Sequence, residues 1–274
     1  MNTPKIPATP AQRLRAAFTK AKAEGRPALV CYLMGGDPSP AASEELLLAL
    51  DAAGADVIEL GVPFSDPIAD GPVLQLAALR ALQAGTTLPK LLALAARVKG
   101  RLRAPLVVMG YCNPFFALGW ERFARDAAAA GICGAIVPDV PLEEAGPLRE
   151  ALGRHGLAWV PLCGPTTGDV RLSKIAAGAE GFLYYVSVTG VTGARAALPA
   201  DLTARLATLH RLSPAPVAVG FGISKPEQAA GLRGQADGVV VGSAIVTAHH
   251  QGGVQAAAGL VRELAAALRG SQGP

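Results

Sequence analysis

"VIELGVPFSDPIADGP", residues 57–72, joins a short aliphatic run to a polar stretch containing three prolines and two aspartates. The run has the β-branched, unbroken apolar character of a strand buried on both faces, which is the habit of parallel sheets rather than of half-exposed hairpins. The stretch after it is too long for a hairpin turn, and a helical pattern follows instead of a returning strand. One residue breaks the apolar run. A carboxylate such as Glu59 is costly in a buried strand unless a cation or a hydrogen-bond network compensates it, so Glu59 is either paired or used.

The same strand-then-helix grammar recurs outward from this segment. Strand candidates are "PALVCYL" (27–33), "DVIELG" (56–61), "PLVVMG" (105–110), "GAIVPD" (134–139), "AWVPLC" (158–163), "GFLYYVS" (181–187), "PVAVGFG" (216–222) and "DGVVVGS" (237–243). Between them lie Ala- and Leu-rich stretches at helical period, such as 39–55, 120–131, 143–156 and 226–235, several of them closed by glycine, the residue favoured just past a helix C-terminus. Eight βα units in a chain of 274 residues predict a TIM barrel, a (β/α)8 fold, occupying residues 1–274 as one domain with no linker. A doubly wound open sheet is the alternative, but no strand is followed by the glycine fingerprint of a dinucleotide fold. Ahead of the first strand, "AQRLRAAFTKAKAEG" (11–25) places Leu14, Ala17, Phe18 and Ala21 at helical spacing, so an extra N-terminal helix is expected. Its basic, acid-poor start also faintly resembles an organelle-targeting segment.

Composition narrows the function classes. The chain is 51% hydrophobic and 17% charged, the balance of a folded domain rather than a disordered one. The formal charge of +4 comes from scattered basic residues with few aromatics among them, which argues against nucleic-acid binding. No run approaches the roughly 18 apolar residues of a spanning helix, and the N-terminus lacks a signal-peptide core, so a cytoplasmic location with no membrane association is expected. Cys31, Cys112, Cys133 and Cys163 are far apart and without metal-ligand spacing; they read as small buried hydrophobes in a reducing compartment.

In barrels of this kind the chemistry sits where strands end. Two connections there are long and polar, the one after the second strand and "VTGVTGARAALP" after the sixth. The first carries Asp70, within reach of the mouth that Glu59 faces. Two carboxylates in different environments suit a division of acid and base roles. The alternative is that Glu59 pairs with a buried cation and Asp70 caps a turn. "GFGIS" (220–224) and "GSAIV" (242–246) each place a glycine at a strand end before a helix start. Loops after strands seven and eight are where barrels commonly hold phosphate on backbone N–H groups, although glycine there also serves tight turns. A Schiff-base mechanism needs a lysine in the mouth, yet only Lys225 lies just after a strand; the histidines sit near helix ends and in the C-terminal helical region, which disfavours zinc chemistry. Proton transfer by carboxylates on a phosphorylated small molecule is what remains.

"AGADVIELGVPFSDPIADGP" (53–72), with "GDP" (36–38), "PDVPLEE" (138–144), "SVTGVTG" (187–193), "GFGIS" and "GSAIV" in the same order, closely resembles the tryptophan synthase α subunits over nearly the whole chain. The resemblance implies a lyase reaction, retro-aldol cleavage of indole-3-glycerol phosphate to indole and glyceraldehyde 3-phosphate, with no metal and no cofactor in this subunit. It puts Glu59 at the general acid/base position and Asp70 at that of the carboxylate accepting the indole N–H. It also implies that Tyr184 lines the site, that Thr192 closes over Asp70, that Gly193, Gly222, Gly242 and Ser243 hold the phosphate, and that Tyr32, Met109 and Phe221 line the indole pocket. Val188 replaces a basic residue found in some relatives, a departure that leaves the carboxylate pair intact. The implied partner is a pyridoxal-phosphate β subunit in an α2β2 assembly, faced by Pro63, Asp66 and Pro141. A stand-alone indole-releasing lyase, or a barrel retained as a non-catalytic regulatory subunit, are the competing readings.

Overall fold

The computed structural model describes residues 8–186, 201–220 and 222–270. Its strands are β1 (Ala28–Met34), β2 (Val57–Gly61), β3 (Leu106–Met109), β4 (Ile132–Ile136), β5 (Ala158–Trp159), β6 (Leu162–Cys163), β7 (Leu183–Val186), β8 (Val217–Gly220) and β9 (Gly238–Val241). All pairings among them are parallel, in the order β5-β4-β3-β2-β1-β9-β8-β7-β6. The two ends of that order belong to one segment. Pro161 has no N–H to give to a ladder, so 158–163 divides into β5, which pairs with β4, and β6, which pairs with β7. The Val160 N–H donates to the Ala135 carbonyl at 3.0 Å and the Tyr184 N–H to the Pro161 carbonyl at 3.0 Å, closing the ring on both sides of the proline. The fold is therefore the eight-position barrel expected, with its fifth strand broken. The fourth strand runs from Ile132 to Ile136 rather than over 134–139. It begins directly after Gly131, whose φ of +85° makes the turn out of the preceding helix, and it carries a register shift opposite Leu106 and Val107.

Alternation sorts the strand residues into two cores. Leu29, Cys31 and Leu33 of β1, Ile58 and Leu60 of β2 and their counterparts pack outward against the helices. Val30, Val57, Val107, Cys133, Ala158, Phe182, Ala218 and Val240 fill the inside. The N-terminal helix α1 (Pro10–Ala23) joins that second group: Leu14, Phe18 and Ala21 are buried with it, and the Phe18 and Phe182 rings lie 5.0 Å apart. The predicted extra helix thus closes the N-terminal end of the barrel. Small residues make room for it. A Cβ at Gly238 would stand 2.7 Å from the Phe18 ring and 3.2 Å from the Ala218 methyl. Gly238→Val is expected to cost about 1–3 kcal/mol through overpacking, read as a lower Tm, with catalysis at the opposite end changed little.

The C-terminal end is organised by α2 (Pro40–Ala53), α3 (Pro72–Gln83) and the later helices α4 (Leu88–Val98), α5 (Cys112–Leu118), α6 (Trp120–Ala129), α7 (Gly146–Arg154), α8 (Asp169–Ala177), α9 (Leu202–Leu212), α10 (Pro226–Ala230) and α11 (Ser243–Arg269). The helix α3 follows directly on the 62–71 loop. Its Leu74, Ala77, Ala78 and Ala81 form a third small core with Tyr32 and Met34 of β1 and Val246 of α11. Further along, Arg80 grips the nearly buried Asp37 through Nε and Nη2, both at 2.7 Å, tying α3 to the turn after β1. No described helix is long and apolar enough to cross a membrane.

Candidate active site

Glu59 occupies the middle of β2, level with Tyr32 on β1 and Val107 on β3, and points to the barrel interior by the same alternation that turns Val57 and Gly61 inward. It is fully buried. Its neighbours among the buried acids are instructive. Asp37 is held by Arg80, and Asp51 accepts from Arg103 and from the backbone N–H groups of Arg103 and Ala104. Neither carboxylate oxygen of Glu59 has a hydrogen-bond partner among the described residues. Desolvation alone pushes its pKa up to about 8. Of the two readings open in the sequence, the buried cation is therefore absent among the described residues, and Glu59 stands as a protonated acid at neutral pH.

Above it lies a cavity of about 390 Å3 at the C-terminal mouth, lined mainly by apolar surface. Glu59, Asp70, Tyr32, Met109 and Tyr184 all border it, as do Gly222, Gly242 and Ser243. Residues from several strands and their following loops thus converge, as the sequence reading requires of a barrel mouth. Two glycines keep the space open. A Cβ at Gly220 would stand 2.7 Å from the Tyr184 hydroxyl, and one at Gly61 would collide with the Tyr32 hydroxyl.

Asp70 sits on the loop, half-buried, and burial raises its pKa to about 6 while a hydrogen bond from Tyr111 works the other way. Asp70 is thus mostly ionised at a pH where Glu59 is mostly protonated. The same fold has separated two carboxylates by about two pKa units, through complete burial of one and partial burial plus a donor for the other.

The far rim of the cavity differs in detail from expectation. Gly242 is the N-cap of α11 and Ser243 its first residue, so the first-turn N–H groups of this helix, which runs straight only as far as a break at Gly252 and Gly253, lie at the cavity rim. After "GFGIS", by contrast, the next helix, α10, starts only at Pro226 and has five residues. Gly222 contributes through its left-handed φ of +79° rather than by capping a helix. Thr192, Gly193 and Phe221, with the second long loop and Val188, lie outside the described residues. Of the three residues expected on the partner face, Asp66 and Pro141 are exposed, whereas Pro63 is buried and belongs to the base of its loop. Among the described residues no group of His, Cys, Asp and Glu is arranged to hold a metal ion.

Sequence reasoning missed Tyr111. It follows Gly110 at the end of the β3 run and looks there like one more core aromatic, yet it lines the cavity and touches the Asp70 loop. It also missed Ile68 and Phe116, 82% and 67% exposed, which put large apolar side chains on the surface near the mouth. The signal available in sequence was Ile68, an aliphatic residue inside a loop that otherwise reads as polar; Phe116, on α5, looks like an ordinary helix residue.

Comparison with known proteins closes the question of kinship. Residues 18–270 match the family model described as tryptophan synthase alpha chain. The tryptophan synthase alpha chain of Geobacter sulfurreducens is 51% identical over 234 residues, covering 85% of this chain and 89% of that one. That of Rhizorhabdus wittichii is 51% identical over 257 residues, covering 93% and 94%. A structure of Mycobacterium tuberculosis tryptophan synthase superposes with a TM-score of 0.89 at 38% identity, over 96% of this chain and 99% of that one. With a barrel closed in this way, a buried acid facing its mouth and a family match across almost the entire sequence, this chain belongs to the tryptophan synthase alpha chain family.

Proposed function

We propose that the chain, whose family places it as the α subunit in tryptophan biosynthesis with a lyase role, cleaves indole-3-glycerol phosphate to indole and glyceraldehyde 3-phosphate. The observation that carries the reading is the fully buried Glu59, without a hydrogen-bond partner among the described residues, facing a mainly apolar cavity with Asp70 on its rim. Glu59 in its acid form gives a proton to indole C3. The positive charge that develops on the ring is stabilised by the Asp70 carboxylate accepting the indole N–H. Glu59, now a carboxylate, takes the proton of the hydroxyl on the adjacent side-chain carbon. As the carbon–carbon bond breaks, its electron pair restores the aromatic ring and the hydroxyl carbon becomes the aldehyde. Glu59 ends protonated, as it began. Tyr32, Met109 and Tyr184 are assigned to the indole ring; Gly222, Gly242 and Ser243 are assigned to the phosphate, supported by the first-turn N–H groups at the start of α11. By resemblance, Phe221 joins the indole contacts, Gly193 joins the phosphate contacts and Thr192 closes over Asp70.

The family membership implies a β partner. An α2β2 assembly with pyridoxal phosphate in the β subunit, and a cytoplasmic location, complete the proposal. Asp66, Ile68, Phe116 and Pro141, each exposed, are the residues we assign to contact with such a partner.

The test is indole release from indole-3-glycerol phosphate by the purified chain, alone and with a β subunit, across pH. The free enzyme is active with Asp70 ionised and Glu59 protonated, so kcat/KM should rise as pH climbs through about 6 and fall as it passes about 8. Failure to release indole in either state would overturn the reaction. A profile flat from pH 5 to 9 would overturn the assignment of the pair.

A further inference from the structure

We infer that Tyr111 is a positioning residue whose hydroxyl clasps the 62–71 loop and aims the Asp70 carboxylate into the cavity; the inference rests on the lyase reading above for its catalytic consequence, but not for its geometry. Tyr111 is buried, at the N-cap of α5. Its hydroxyl oxygen accepts the Ala69 N–H at 3.0 Å, a contact spanning 42 residues of sequence. Its ring stacks on Phe64 of the same loop, with centroids 5.4 Å apart and planes 29° from parallel. The loop is therefore held by Tyr111 at both ends of its polar stretch.

A tyrosine hydroxyl has one proton to donate. With the oxygen accepting from Ala69, that proton is free for the neighbouring carboxylate, and the Asp70 side chain feels Tyr111 as a hydrogen-bond donor. The hydroxyl thus sits between the backbone of residue 69 and the side chain of residue 70, fixing the one and orienting the other. Tyr111 is itself anchored: the N–H of Cys112, at the start of α5, donates to Asp139 Oδ1 at 2.8 Å, which binds α5 to the turn after β4. Among the described residues, the other titratable groups facing Asp70 are Tyr32 on β1 and Tyr184 on β7; Glu59 on β2 borders the same cavity, and Asp139 faces Tyr111. The tyrosines at 32 and 184 point over glycines into the cavity. Of the three, Tyr111 is the one whose hydroxyl takes the Ala69 N–H, while the Tyr32 hydroxyl faces Met34 Sδ at 3.8 Å.

The decisive variant is Tyr111→Phe, which keeps the ring and its stack on Phe64 and removes only the hydroxyl. Two readouts need no turnover. Amide hydrogen exchange at Ala69 should accelerate by roughly tenfold, the equivalent of one ordinary hydrogen bond. The Asp70 carboxyl, followed by NMR, should titrate at higher pH than in the wild type, since a donor to its charged form is gone. If the wild type releases indole, the variant should lose kcat by about tenfold with KM nearly unchanged, and the acid limb of its pH profile should move upward. Unchanged exchange and an unchanged Asp70 titration would overturn the clasp whatever the activity. Changed exchange and titration with unaltered kcat would overturn the positioning role while leaving the contact in place. A wild type that releases no indole would fail the lyase reading alone, and the first two readouts would still decide the clasp. Cys112→Ala, beside the clasp but outside it, serves as a control expected to leave all readouts near wild type.

Discussion

Glu59→Gln should abolish indole release and, at the same time, make the protein harder to unfold at alkaline pH. The amide matches the carboxyl in shape, so the cavity and the fold persist, but it neither gives nor takes a proton at C3 or at the hydroxyl. A loss of at least about a hundredfold in kcat is expected, the lower range of what a positioned acid/base contributes. The stability side follows from linkage. In the folded chain Glu59 titrates at about 8 against 4.5 for an ordinary glutamate, so the folded state holds the proton more tightly. Between those values the unfolded chain has fewer bound protons than the native one, and stability falls as pH rises. The cost is absent below the ordinary glutamate range, grows through the window and is complete above about 8, where it reaches at most about 5 kcal/mol for a fully buried group. Glutamine does not titrate, so the gap in Tm between variant and wild type should widen from pH 5 to pH 8.5. A variant with more than a hundredth of wild-type turnover would show that Glu59 is not the acid, and a Tm gap independent of pH would show that its burial does not raise its titration.

The cost of burying that carboxylate explains what can be read from the sequence. Glu59 is legible because it violates the pattern around it: an acid in an otherwise aliphatic strand has few explanations, and alternation fixes which way it faces. The βα periodicity is legible for the same reason, since strands buried on both faces must be continuous apolar runs. The split of the fifth strand is foreshadowed by Pro161 inside "AWVPLC", whose missing N–H admits only a break. The start of the fourth strand is misread in sequence because Gly134 looks like a boundary, although the turn is made three residues earlier, at Gly131. Tyr111 is illegible for a different reason. Its partner is a backbone amide 42 residues away, and nothing local distinguishes a tyrosine that accepts such a bond from one that packs in a core. The burial of Pro63 is likewise hidden, because exposure along a loop depends on which of its residues the barrel rim covers.

Asp70→Asn should cost about a hundredfold to a thousandfold in kcat, comparable to deleting one preorganised group aimed at developing charge. The amide oxygen of the substituted side chain can still accept the indole N–H, and its size leaves the loop contacts of Ala69 with Tyr111 undisturbed. What disappears is the negative charge. In the ground state the indole ring is neutral and gains little from a carboxylate, whereas the ring protonated at C3 carries positive charge directly on the N–H that the proposed mechanism assigns to Asp70. The lost interaction therefore belongs to the transition state, and kcat and kcat/KM should fall together with KM nearly constant. The variant also lacks the group that titrates at about 6, so the acid limb of its pH profile should vanish while the alkaline limb from Glu59, near 8, remains. Combined with Glu59→Gln, the second substitution should add little, because stabilising charge on the ring matters only once C3 has been protonated. Steady-state rates of the two single variants and the double variant between pH 5 and 9 decide it: an acid limb that survives in Asp70→Asn would move the ionised partner of the indole nitrogen to another residue.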